Sequence, residues 1–168
     1  MKILLFQIIT ISLVISCASN EESHGPYFGN GIHNGWADQT SISIWTRLTA
    51  NPEMNWEGQK FIDLTKKEAD SLAEFQNVDM LHSQQIPEGL TLNDMEGACP
   101  GASGEVQLTY YKKGSPNERK DLDWVQVSEN KNYTAQWKLQ DLVAGTDYVM
   151  QLKARQIGSK TISDEIEG

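Results

Sequence analysis

"LVAGTDYVMQLKAR", residues 142–155, is the stretch that decides the fold. A leucine leads into a small loop holding Gly145 and Thr146, and Tyr148 then opens an alternating strand. Leu142, Gly145, Thr146 and Tyr148 in this order form a tyrosine-corner pattern. In such a corner the ring packs beneath the turn, and its hydroxyl reaches back to a backbone group of the preceding connection. A generic hairpin asks only for the glycine; the four residues together ask for a corner between packed sheets. Val149, Leu152 and Ala154 are expected to pack with those sheets.

Alternation also marks the segments upstream. In Ser41–Thr49, Ile42, Ile44, Thr46 and Leu48 share one face, and Ser43, Trp45, Arg47 and Thr49 share the other. Period two with β-branched and aromatic residues means a strand. Glu105–Tyr111 places Val106, Leu108 and Tyr110 on one face. "LDWVQV", residues 122–127, places Leu122, Trp124 and Gln126 opposite Asp123, Val125 and Val127. "YTAQWKLQ", residues 133–140, aligns Tyr133, Ala135, Trp137 and Leu139. Glycines 25, 29, 31 and 35 indicate turns or irregular edge structure ahead of the first strand. "GSKTISDEIEG", residues 158–168, begins a last strand that is expected to be incomplete. Short strands separated by turns predict an antiparallel β-sandwich over residues 26–168.

Residues 50–104 break the pattern. Asn51-Pro52 starts the break, and a loop dense in glycine and proline ends it. Between them, Thr65 with Glu68 three residues later fits a capping box, and Ala69, Leu72, Ala73 and Gln76 recur at helical spacing. The segment reads as an insertion containing a short helix, either structured or functional, because structureless connections of this length are uncommon.

The chain has 168 residues and a net charge of −9. That suffices for one domain with a core, and the charge argues against nucleic acid as a partner. At the N-terminus, Lys2 precedes an apolar run from Ile3 to Ile15. As a helix that run spans roughly 20 Å, short of a bilayer core of about 30 Å. It reads as a secretory signal over residues 1–16. Val14-Ile15-Ser16-Cys17 resembles a bacterial lipobox, which implies lipidation of Cys17, cleavage before it and anchoring in a bilayer. Residues 17–25 are a polar tether, and the expected location is the bacterial cell envelope, at the outer membrane. With Cys17 lipidated, Cys99 has no disulfide partner, and its surroundings offer only Glu96 and Glu105 as bases.

The corner and its strand resemble the end of a fibronectin type III-like domain. Ile44-Trp45-Thr46-Arg47-Leu48-Thr49 resembles a narrower group, the N-terminal domain of PhoD-like alkaline phosphatases, which precedes their metal-dependent catalytic domain. Where that family has a Gly-Val-Ala-Ser-Gly-Asp-Pro-like run, this chain has Gly31-Ile32-His33-Asn34-Gly35-Trp36. The resemblance implies a fibronectin type III/immunoglobulin-like β-sandwich that is not itself catalytic. A divalent metal or iron would belong only to a catalytic domain outside this chain, and that domain would be the sandwich's partner.

The residues themselves offer little chemistry. His24, His33 and His82 lack metal-motif spacing. Glu88, Asp94 and Glu96 flank a glycine-rich loop without a calcium-loop pattern, and Asp121 and Asp123 sit beside a turn, where carboxylates cap amides. Among the tryptophans, Trp45 and Trp137 read as sheet packing, and Trp56, in a polar loop, is the candidate exposed contact. Two other readings stay open: a free-standing surface lipoprotein for adhesion or glycan binding, and the related N-terminal domain of purple acid phosphatase-like enzymes.

Overall fold

A computed structural model describes residues 25–74 and 84–168, without the side chains of 72–74. The signal segment, Cys17, His24, Gln76 and His82 lie outside the described residues, as do the side chains of Leu72 and Ala73. The chain forms two antiparallel sheets packed face to face. One holds β1 (Ile32–Ala37), β2 (Ile42–Arg47) and β6 (Thr134–Leu139), in the order β1-β2-β6. The other holds β3 (Gly104–Lys112), β4 (Lys120–Asp121), β5 (Val125–Val127), β7 (Tyr148–Arg155) and β8 (Asp164–Glu167). Its order is β4-β3-β7-β8, with β5 also on β3. This is the all-β sandwich that the strand pattern predicts, of the fibronectin type III-like class that the corner resembles.

Alternation decides what is inside. Ile44, Thr46 and Leu48 from the β2 run lie beside Ala135, Trp137 and Leu139 of the neighbouring β6 on one inner sheet face. From the second sheet, Val106, Leu108 and Tyr110 of β3 and Met150, Leu152 and Ala154 of β7 meet them. Leu108 pairs directly with Leu152, both fully buried. Each such side chain contributes about 1.5–3 kcal/mol by leaving water.

Four details depart from simple alternation. Leu122 packs against the core on the same side as Val125 and Val127, not opposite them. Thr109 pairs with Asp121, but Val106 pairs with Val125, so the partner strand gains one residue in between. A one-residue slip reverses which face each later side chain occupies. Thr49 is fully buried rather than facing outward, because Tyr27 and Gly101 bridge to it from either side. Tyr133 precedes β6 in a left-handed conformation, φ 59°, and does not join its inner face. On β1, Asn34 pairs with Ile44 but Ala37 pairs with Ile42, which leaves Gly35 and Trp36 together in a bulge.

The chain's two described ends meet. The Phe28 N–H donates to the Asp164 carboxylate at 2.8 Å, and the Ser163 hydroxyl donates to the Pro26 carbonyl at 2.6 Å. β8 pairs with β7 from Asp164 to Glu167, and Gly168 and Met150 exchange backbone hydrogen bonds.

The described residues of the 50–104 insertion form a folded layer. Asn55 bonds to Ala98 and Gly97, Gln59 to Asp94 and Glu96, and Ile62 to Gln85, all through backbone groups. Met95 is buried beneath this ladder, and Gly58 lies against its backbone, where no Cβ would fit. α1 (Lys66–Glu74) starts as the capping box predicts: the Thr65 N–H and hydroxyl both donate to the Glu68 carboxylate, at 2.8 and 2.6 Å.

Candidate functional site

The corner residues come together at the end of the sandwich. Gly145 holds φ 65°, the left-handed region that a residue with no Cβ enters freely. That turn brings the chain back so that the Val143 N–H donates to the Tyr148 hydroxyl at 3.0 Å. The Tyr148 ring tilts against Tyr110, centroids 6.4 Å apart, and Leu142 packs on the core. The Leu142 N–H donates to the Thr40 carbonyl at 2.9 Å, tying the corner to the β1–β2 turn. A cavity of about 630 Å³ opens beside it, lined by charged side chains such as Asp38, Lys113 and Asp147 but by no histidine or cysteine.

The arginine of the Trp45–Thr49 run does mechanical rather than chemical work. Its Nη1 donates to the Cys99 carbonyl at 2.6 Å and its Nε to the Asn132 carbonyl at 3.2 Å, while the guanidinium lies 5.6 Å from the Tyr133 ring centroid. Arg47 therefore joins the end of the insertion to the turn before β6. The fork of donors on a planar group suits two carbonyls from different segments.

Cys99 sits under this clamp. Burial pushes its thiol above the ordinary value, and the Arg47 charge and the Thr49 hydroxyl offset that less. A reactive cysteine needs the opposite shift. Asp94 is held below the usual carboxylate range because the Thr91 hydroxyl and N–H donate to it, at 2.7 and 2.8 Å. Asp121 does not cap backbone amides. It accepts from the Arg119 guanidinium at 2.7 Å and the Thr109 hydroxyl at 2.6 Å, across the β3–β4 pair, and both lower it. His33 stacks on Trp45, rings 4.2 Å apart and 16° from parallel. Among the described residues, no three His, Cys, Asp or Glu side chains gather as a metal ion would require.

The tryptophans divide three ways. Trp137 is buried in the core. Trp124 lies flat beneath the Arg155 guanidinium, 3.8 Å from its centre, and Arg155 in turn pairs with Glu105 at 2.7 Å. Trp56 is 62% exposed in the insertion, in the company of the exposed Phe61, Ile62 and Leu92. Trp36, 64% exposed, was not singled out by the sequence pattern. The signal was Gly35: an isolated glycine in a strand marks a bulge, and this bulge turns Trp36 outward.

The fold and these features define a fibronectin type III-like β-sandwich with a folded insertion. No family model matches the chain, and no curated protein matches it. Among solved structures it is similar to a structure of PhoD, with 15% identity and a TM-score of 0.42 over 89% of this chain. The chain spans 20% of that PhoD chain. It is also similar to two structures of the sensor domain of the anti-sigma factor RsgI4 in Pseudobacteroides cellulosolvens, each with a TM-score of 0.32. Identities there are 12% and 14%, over 81% and 82% of this chain and 90% and 71% of those. Likenesses this distant leave the function open.

Proposed function

We propose that this chain is the non-catalytic, accessory β-sandwich of a lipid-anchored, PhoD-like alkaline phosphatase or phosphodiesterase. The observation that carries the reading is the Ile44–Thr49 run, Ile-Trp-Thr-Arg-Leu-Thr, which resembles that family's N-terminal domain. Its placement suits an accessory role: Arg47 ties the Cys99 end of the insertion to the sandwich, which positions that end to border a neighbouring catalytic domain. The reaction's metal ions, divalent or iron, would lie in that domain. The lipobox-like Cys17 would anchor the whole in the bacterial cell envelope, at the outer membrane. Nucleic acid is not expected as a partner of so acidic a chain.

Two measurements test this. DNA downstream of codon 168 should encode a phosphatase domain rich in Asp, His and Asn ligands, in frame or in a recoverable neighbouring frame. The purified chain alone should release no phosphate from p-nitrophenyl phosphate. Neighbouring DNA without a phosphatase frame, or turnover by the isolated chain, overturns the reading.

A further inference from the structure

The outer face of the β1-β2-β6 sheet differs in chemistry from the rest of the molecule. In a chain of net charge −9, the outward positions of these strands hold no carboxylate. They run from His33 and Trp36 on β1, through Ser43 and Trp45 on β2, to Gln136 and Lys138 on β6. No aliphatic side chain is among them, and Arg47 closes the row at one end. The face is therefore aromatic and free of carboxylates within an acidic protein, with Lys138 as its outward cation: Arg47 is engaged with the Cys99 and Asn132 carbonyls, and Asp38, in the β1–β2 turn, lies close enough to feel the Lys138 charge.

Its geometry is built rather than incidental. The bulge places Gly35 and Trp36 together opposite Ser43. A Cβ on Gly35 would stand only 3.2 Å from the Ser43 Cβ, so the glycine lets the strand approach while Trp36 swings over the sheet. Lys138 Nζ then lies 5.9 Å from the Trp36 ring centroid. One row along the strands, His33 and Trp45 stack at 4.2 Å and hold each other in place. Ser43, paired with Lys138, lies in the Trp36 row, and Gln136, paired with Trp45, flanks the other aromatic station.

We propose that this face binds an acidic polysaccharide, with Trp36 stacked on the C–H face of a pyranose ring and Lys138 paired with a sugar carboxylate. An indole offers a flat apolar surface of the size of a sugar ring, with geometry fixed by two torsions. Ser43 and Gln136 supply hydrogen-bonding partners for ring hydroxyls, Gln136 both donating and accepting. The cation beside the ring selects for negative charge. A protein partner fits less well, because the centre of a protein interface is depleted in charge, and here a lysine stands beside the most exposed indole. The proposal does not depend on the accessory-domain reading: the two share β2, but this one rests on the outward side chains of the sheet and that one on the resemblance of the Ile44–Thr49 run.

Affinity electrophoresis of the full chain in detergent micelles tests it, in gels containing polygalacturonate or alginate and, in parallel, neutral dextran. The expected result is retardation in both polyuronate gels and none in dextran. Trp36→Ala should weaken it roughly tenfold, Lys138→Gln should weaken it several-fold, and Trp56→Ala should leave it unchanged. Circular dichroism matching the parent establishes that each variant is folded, and Lys138→Glu supplies a second probe if Trp36→Ala is not. No retardation in polyuronate, equal retardation in dextran, or retardation that survives both Trp36→Ala and the Lys138 variants overturns the proposal.

Discussion

The ring of Tyr133 lies directly over Gly101, in the space that a Cβ on that residue would occupy. Asn132 and Tyr133 both adopt left-handed backbone conformations, φ 50° and 59°, and this turn delivers the ring there. Gly101→Ala should therefore destabilise the domain by about 1–3 kcal/mol through overpacking. Adding Tyr133→Ala should recover part of that loss, since the two substitutions share one contact. Thermal unfolding of the two single variants and the double variant measures the coupling; strict additivity would contradict the contact.

Arg47 should be irreplaceable by an apolar side chain of similar length. In Arg47→Met the Cys99 carbonyl loses its arginine donor, while the Asn132 carbonyl keeps only the Thr134 hydroxyl, at a cost of about 1–3 kcal/mol. The damage should be local. The Ala50 N–H, bonded to Pro100, and the Ala102 N–H, bonded to Leu48, should exchange with deuterium faster than Leu152 in the sandwich centre. Uniform acceleration across the chain would assign Arg47 a global role instead.

Tyr148→Phe removes only the acceptor of the Val143 N–H. The expected loss is about 1 kcal/mol in urea unfolding, the usual net worth of one hydrogen bond. Tyr148→Ala should cost more, because the ring against Tyr110 goes too. Equal losses in the two variants would mean that the hydroxyl, not the ring, holds the corner.

Acid should weaken the fold in a direction that Asp121 sets in part. Its folded-state pKa is depressed by the hydrogen bonds from Arg119 and Thr109. Its stabilisation is therefore complete above the ordinary carboxylate value of about 4 and is lost as pH falls through the lower folded-state value. Asp38, Glu68 and Asp94 are lowered in the same sense by their turn and capping hydrogen bonds. Asp121→Asn should lose less stability than the parent between pH 7 and pH 3 in urea titrations. An unchanged pH slope would remove Asp121 from the account.

Local chemistry was what the sequence disclosed. Leu142 to Tyr148 form their corner within seven positions, and Thr65 caps α1 through a residue three places on, so both could be read directly. Ile44, Leu48, Val106 and Leu108 followed from alternation because each strand keeps its register along the segment. The exceptions all depend on a distant partner. Leu122 faces inward because β3 accommodates an extra residue opposite it; Thr49 is buried by Tyr27 and Gly101. Tyr133 sits where Gly101 leaves room. Trp36 faces outward because β1 bulges against β2, a pairing that Gly35 alone only hints at. The roles of Arg47 and of the aromatic, carboxylate-free sheet face lie in contacts between segments, and no linear spacing encodes them.

The bond between Phe28 and Asp164 also sets an order of assembly. Its partners are 136 positions apart and those of the neighbouring Ser163–Pro26 bond 137, so joining these two segments is a far more non-local step than pairing adjacent strands, in a topology already dominated by long-range pairing, the kind that folds slowly. A chain emerging from the ribosome or a translocation channel can begin on β2 to β7, but the Phe28 N–H meets its acceptor only once Asp164 has been made. Unfinished copies thus have the segment at Pro26 and Phe28 untied, and the last strand to be synthesised is the one that fastens it.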